Sequence, residues 1–209
     1  MAMALEERIE WGTAKQSPTA DEDFSLPDGK ELVRVNLACG QQKKEGYIGI
    51  DRVKTDTTDI VHDLYAYPWP FKDASIYEFN CEHFVEHIPI QLADGSFGLH
   101  RFMEEVWRCL MPGGTITIVA PYYTSIRAWQ DPTHTRAINE ITFTYYQRKH
   151  SEAMKVDHYA AKCNFEPVSR TYAITPEWEA SSDEARQWAM RHYFNVVADI
   201  AFVLRKIEL

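Results

Sequence analysis

Leu32-Val33-Arg34-Val35-Asn36-Leu37-Ala38-Cys39-Gly40, followed by Gly46-Tyr47-Ile48-Gly49-Ile50-Asp51, is the stretch whose reading decides the fold. The apolar run from Leu32 to Leu37 ends in small residues and reads as a buried strand entering a turn. Small residues there let the backbone approach a ligand, and glycine admits a positive φ. Tyr47 to Ile50 reads as a second strand, ending at Asp51. An acid at such a strand end can accept hydrogen bonds from two ribose hydroxyls. A dinucleotide-binding fold uses a similar pair, but with G-x-G-x-x-G in the turn, and this chain lacks that fingerprint. An ordinary strand-turn-helix corner also fits the segment taken alone.

Outward from this stretch the pattern alternates. Asp59 to His62 and Ile76 to Cys81 read as a third and a fourth strand. Phe97 to Leu110 carries Phe102, Val106, Trp107 and Leu110 at helical spacing, with charges between them. Met111-Pro112-Gly113-Gly114 stops that helix. Thr115 to Ala120, nearly all β-branched, is the strongest strand, and Pro121 ends it. Phe165 to Ile174 and Val196 to Lys206 read as two late strands around a helix over Glu184 to Tyr193. Strands alternating with helices predict an α/β fold: a three-layer sheet of about seven strands, mainly parallel, with an antiparallel last strand. Residues 1–30, with a short helix expected over 4–15 and a Pro-, Asp- and Ser-rich linker after it, read as an N-terminal arm or linker, packed on the domain edge or serving as a lid; 31–209 read as one domain. In open α/β sheets ligands bind outside the carboxyl ends of the strands, so the residues just past each strand are the candidates.

Composition narrows the partners. The 209 residues hold 31 acids against 22 bases, a net charge of −9 with no basic block. Nucleic-acid binding needs a positive stripe, so a small acceptor is favoured. Cys39, Cys81, Cys109 and Cys163 form no C-x-x-C pair, which gives a zinc ribbon no support; reduced, buried thiols in a cytoplasmic protein are expected. No apolar run is long enough to span a membrane and no secretory signal is expected. Nothing in the sequence addresses the oligomeric state.

Five segments in order resemble one family. Val35-Asn36-Leu37-Ala38-Cys39-Gly40 with Gly46-Tyr47-Ile48-Gly49-Ile50-Asp51 is similar to the opening of class I, Rossmann-like methyltransferases that use S-adenosylmethionine. Asp63-Leu64 followed by Pro70-Phe71-Lys72-Asp73-Ala74-Ser75, His83-Phe84-Val85-Glu86-His87-Ile88, and Leu110-Met111-Pro112-Gly113-Gly114 resemble its later motifs. The resemblance covers residues 32 to about 122 and implies roles for matching positions. The Ala38-Cys39-Gly40 turn would pass under the methionine part of S-adenosylmethionine, with Asn36 among the cofactor-binding residues, and Asp51 would hold the ribose hydroxyls. Asp63 and Leu64 would meet the adenine. Cys81, Glu82 and His83 would line the sulfonium end. One departure stands out: Ala38 replaces the family's usual glycine, and its methyl group would crowd the cofactor.

The acceptor side is read from the segment past the fifth strand. Asp131-Pro132-Thr133-His134-Thr135-Arg136 and a Phe-x-Tyr-Tyr run resemble a group of small bacterial and phage methyltransferases of the methyltransferase type 11-like kind. By position this segment roofs the site, with Asp131, His134 and Arg136 as catalytic candidates. His134 carries an imidazole and could act as base. Arg136 could hold an anionic group of the acceptor. The same three residues could instead cross-link the loop to the body. His87, Tyr122, Tyr123, Tyr145 and Tyr146 are the substrate-binding candidates; His150, His158 and Tyr159 could join them or serve as core. His83 and His87 lie four apart, as on one helix face, but the motif occurs in metal-free relatives, so no metal site is assigned.

The expected function is methyl transfer from S-adenosylmethionine to a small-molecule or saccharide-type acceptor at oxygen or nitrogen. No Asn/Asp-Pro-Pro-Tyr stands after the fourth strand and no Pro-Cys dipeptide is present, which argues against nucleobase acceptors. A nucleotide or nucleic-acid methyltransferase and a non-catalytic interaction domain with this fold are the alternatives; an NAD oxidoreductase is the weakest.

Overall fold

The computed structural model describes residues 12–13 and 32–209. The elements are β1 (Gly12–Thr13), β2 (Arg34–Leu37), β3 (Ile48–Asp51), β4 (Ile60–Val61), β5 (Ile76–Glu82), α1 (Gly98–Cys109), β6 (Leu110–Pro121), α2 (Arg127–Gln130), α3 (Arg148–Ala153), β7 (Phe165–Ile174), α4 (Pro176–Glu179), α5 (Asp183–His192) and β8 (Val197–Lys206). They build one sheet in the order β1-β7-β8-β6-β5-β2-β3-β4. Strands β2 to β6 pair in parallel, and β8 lies antiparallel between β6 and β7. This is the expected Rossmann-like α/β sheet of seven main strands, with two-residue β1 added beside β7 at Ser169 and Arg170. The helix expected over 4–15 and the 1–30 arm otherwise lie outside the described residues; Gly12–Thr13 are strand.

The first three crossovers, residues 38–47, 52–59 and 62–75, contain no helix. Side chains hold them instead. The Gly40 carbonyl accepts from the hydroxyls of Thr55 and Thr57, each at 2.7 Å, and Lys43 Nζ donates to Asp59 Oδ2 at 2.6 Å. Gly49 has no room for a side chain: a Cβ there would meet the Thr57 carbonyl oxygen at 2.4 Å and Cys39 Sγ at 2.9 Å. The turn after β2 therefore rests directly on β3.

Helix α1 is amphipathic as its spacing predicts, burying Phe102, Met103, Val106 and Cys109. It ends one residue earlier than expected. Leu110 is extended (φ −63°, ψ 137°) and pairs with Ile76; Gly113 turns at φ 77°, and regular pairing resumes with Thr115 opposite Glu78. Pro112 and Gly113 mark this irregularity inside the strand rather than ahead of it. Trp69 packs edge-on against Phe79 and Phe102, at 5.9 and 5.5 Å, and its indole N–H donates to the Leu64 carbonyl at 3.1 Å. That bond fastens the loop after β4 to the core. No described helix is long and apolar enough to cross a membrane.

Candidate active site

Two cavities open at the carboxyl ends of the parallel strands, and Ala38 lines both. One, of about 480 Å³, is bounded by Asp51, Asp63, Leu64, Tyr65 and Phe84. The other, of about 370 Å³, is bounded by Asn36, Cys39, Lys44, Glu82 and His83. Both volumes fall in the range of small-molecule sites.

Asp51 is pinned before any ligand arrives. Its Oδ2 accepts from the Gly40 backbone N–H and its Oδ1 from that of Val53, each at 2.9 Å. A carboxylate offers about four lone-pair directions, so roughly two remain for hydroxyls. Asp63 is held in the same way: Oδ1 accepts from the Tyr65 N–H at 3.0 Å. The Tyr65 and Phe84 rings stack at 5.6 Å, and with Leu64 they give the larger cavity an apolar wall. Asn36 is buried, its Oδ1 accepting from the Lys44 N–H at 2.9 Å. Ala38 stands at φ 49°, the left-handed region that favours glycine. Its cost is thus in the backbone as well as in the methyl group.

The remaining cofactor candidates divide. Glu82 and His83 line the smaller cavity. Cys81 is fully buried and lines neither, and Gly40 serves through its backbone alone. Burial pushes the Cys39 and Cys81 thiols up, so both are neutral and unreactive at ordinary pH. All four cysteines are buried and free. Lys43, Lys44, Gln42, Arg52, Tyr65, Phe84 and Thr133 are lining residues that sequence reasoning missed. Arg52, Tyr65 and Phe84 each sit one position past a residue it did select, so position past the strand end is the signal that finds them.

His83 and His87 do not share a helix face. His83 has φ 51°, and only Val85–His87 form a single 3-10 turn. His83 Nδ1 lies 3.5 Å from Glu86 Oε1, too long for a well-formed hydrogen bond but close enough for attraction. Glu86 beside it holds the His83 imidazole above its usual range, against the effect of burial.

The segment after β6 is tied to the 85–89 turn. Thr135 donates its N–H to the Glu86 carbonyl at 2.8 Å and its hydroxyl to the Ile88 carbonyl at 2.6 Å. Arg136 spends its fork on the carbonyls of Val85 (2.7 Å) and Pro89 (3.3 Å) and lines neither cavity. Asp131 Oδ1 accepts from both the N–H and the hydroxyl of Thr133, at 2.8 and 2.7 Å. His134 Nδ1 meets the Ala128 carbonyl at 3.1 Å, and its ring lies edge-on to His87 at 4.6 Å. Of the catalytic and substrate-binding candidates, only His87 reaches a cavity wall.

The tyrosines are brought elsewhere. Tyr122 is buried, and its hydroxyl and that of Tyr172 both donate to Glu140 Oε1. Tyr123 packs on Tyr122 at 4.8 Å. Tyr146 is buried against His100, and Tyr145 is exposed beside His150. None of the four lines either cavity. Successive side chains of the 3-10 turn Thr142–Tyr146 point different ways, and the buried direction leads to the core.

Known proteins share this architecture. No protein-family model and no curated protein matches the chain. Solved structures do. A SAM dependent methyltransferase from Archaeoglobus fulgidus superposes with a TM-score of 0.57 at 16% identity, over 84% of this chain and 86% of that one. This chain has the fold of the class I, Rossmann-like methyltransferases. A 1,6-didemethyltoxoflavin-N1-methyltransferase from Burkholderia thailandensis, solved with bound 1,6-didemethyltoxoflavin and S-adenosylhomocysteine, superposes with a TM-score of 0.50 at 12% identity, over 86% of this chain and 73% of that one.

Proposed function

We propose that this protein transfers a methyl group from S-adenosylmethionine to a small-molecule or saccharide-type acceptor, at oxygen or nitrogen. The observation that carries the reading is the pair of cavities meeting at Ala38, with Asp51 and Asp63 in one and Asn36, Glu82 and His83 in the other. A ligand with a ribose and a base at one end and a charged amino acid at the other would use both. Asp51 would accept the ribose hydroxyls and Asp63 the adenine amino group beside Leu64, Tyr65 and Phe84. The turn through Ala38 would pass under the sulfonium. The absence of a basic block in a chain of net charge −9 favours a small acceptor over a nucleic acid.

Methyl transfer from a sulfonium is an in-line displacement by an already activated donor. The protein contributes alignment and exclusion of water, and a base only where the acceptor must lose a proton. His134, oriented by the Ala128 carbonyl and in contact with His87, is the candidate base. Asp131 and Arg136 act in this reading by positioning the loop that carries it.

Calorimetry with S-adenosylmethionine and S-adenosylhomocysteine tests the proposal. Both are expected to bind, and Asp51→Ala to lower affinity by at least about 100-fold, or about 2.7 kcal/mol. Asp51→Asn keeps one acceptor for the turn and should lose less. Binding of neither compound at millimolar concentration would overturn the enzyme reading. His134→Ala should leave S-adenosylhomocysteine affinity within about twofold while turnover on an identified acceptor drops by roughly 100-fold or more; unchanged turnover would remove His134 as base.

A further inference from the structure

Glu86 is 2% exposed, and neither of its carboxylate oxygens has a hydrogen-bond partner. His83, 3.5 Å away, offsets its charge only when protonated. An ionised carboxylate in this state is costly unless a cation pairs with it. Two imidazoles stand close by. One ligand atom from each of Glu86, His87 and His134 lies within 4.8 Å of the other two. The first two residues are neighbours in sequence. The third is delivered by the loop that Thr135 and Arg136 fasten to the same turn.

The hydrogen bonds decide which nitrogen of each ring is free. The Ala128 carbonyl can only accept, so His134 Nδ1, 3.1 Å from it, carries the proton and Nε2 the lone pair. His87 Nδ1 lies 2.9 Å from Thr133 Oγ1, whose own proton goes to Asp131 at 2.7 Å. Thr133 therefore accepts from His87, and Nε2 is again the free lone pair. Histidines that bind metals are oriented in this way, with the second nitrogen donating to a carbonyl or to a chain ending in a carboxylate.

We propose that Glu86, His87 and His134 form a site for a divalent transition-metal ion on the wall of the larger cavity. Two imidazoles and one carboxylate suit Zn²⁺, Mn²⁺, Fe²⁺ or Co²⁺ better than Mg²⁺ or Ca²⁺, which favour oxygen shells. Ligands about 2.1 Å from one ion stand roughly 3 to 3.5 Å apart, so the three side chains close by about an ångström on loading. Three protein ligands leave coordination positions open. His87 and Thr133 line the cavity, so these positions face it. Metal capture stands without the methyltransferase reading; that an open position takes a hydroxyl or carboxylate oxygen of the acceptor rests on it, and with the ion loaded His134 serves as a ligand and not as the base. Asp131 is then a positioning residue, acting through Thr133 on His87.

The full chain, stripped with a chelator, is titrated with Zn²⁺ and Co²⁺ by calorimetry, and the Co²⁺ form is examined by visible absorption. One equivalent is expected to bind with a nitrogen-ligated cobalt spectrum, which needs no variant. His87→Ala and His134→Ala should each weaken binding at least tenfold. Glu86→Gln should raise the melting temperature in chelator, because it removes a buried charge, and abolish the rise on adding Zn²⁺. No binding to the unmodified chain, or binding that His134→Ala and Glu86→Gln leave unchanged, overturns the site. S-adenosylhomocysteine is titrated into the same samples. Metal binding without nucleoside binding supports the site and rejects the methyltransferase reading; the reverse does the opposite.

Discussion

Residues 34–66 and residues 121–160 border the same end of the sheet but are held in different ways. In the first region the candidate groups are fixed by near neighbours: Asp51 by Gly40, 11 residues away, and the Gly40 carbonyl by Thr57, 17 away. In the second the bonds reach far back. Arg136 meets Val85 across 51 residues and Thr135 meets Glu86 across 49. The near half is a set of adjacent strand ends that hold one another over short stretches of chain. The far half is a strap whose geometry exists only once the 85–89 turn is in place. A local site tolerates remote change, while a strap transmits it.

Three substitutions probe that difference. Gly49→Ala should have the largest effect, because it drives a methyl group into the Thr57 carbonyl behind the turn. A loss of about 3 kcal/mol is expected in denaturant unfolding. A loss under about 1 kcal/mol would mean that the near half is less tightly built than its contacts imply. Arg136→Met keeps the apolar stem and removes the donors to two carbonyls, so about 2 kcal/mol should be lost. Its burial also pulls the guanidinium below its ordinary range, as expected of a charge satisfied by carbonyls instead of a carboxylate. S-adenosylhomocysteine affinity should change little in this variant; a large change would mean that the strap and the strand ends are coupled. Ala38→Gly is the smallest and goes the other way. Relief of the left-handed backbone, about 1 to 2 kcal/mol, less the added freedom of the unfolded chain, about 0.4 to 1, leaves a net gain of roughly 0.5 to 1 kcal/mol. Thermal unfolding should show a rise of a few degrees, accompanied by tighter S-adenosylhomocysteine binding.

The legibility of the site obeys the same division. Asp51, Asp63 and the turn through Ala38 could be found because a strand end is a local event, marked by an apolar run, a small residue and an acid. The tyrosines at 122, 123, 145 and 146 could not be placed. An aromatic residue beside a site and one in the core look alike until the packing partner is known, and here Glu140, His100 and His150 supply the partners. The spacing of His83 and His87 suggested a helix face, but a left-handed residue at His83 breaks the periodicity on which the inference rests.

The stretch from Leu32 to Asp51 determined, by itself, the order of its strands and turns and the acid at the second strand's end, because apolar runs and turn residues act over a few positions. The sequence also carried a resemblance whose implied fold is the one observed. Only the tertiary structure decided that Ala38 sits in the left-handed region, that Arg136 turns to backbone carbonyls, and that Glu86, buried without hydrogen-bond partners, meets His87 and His134. The last two outcomes depend on contacts between segments some 50 residues apart, which no local pattern encodes, since they arise only when the sheet brings its strand ends together.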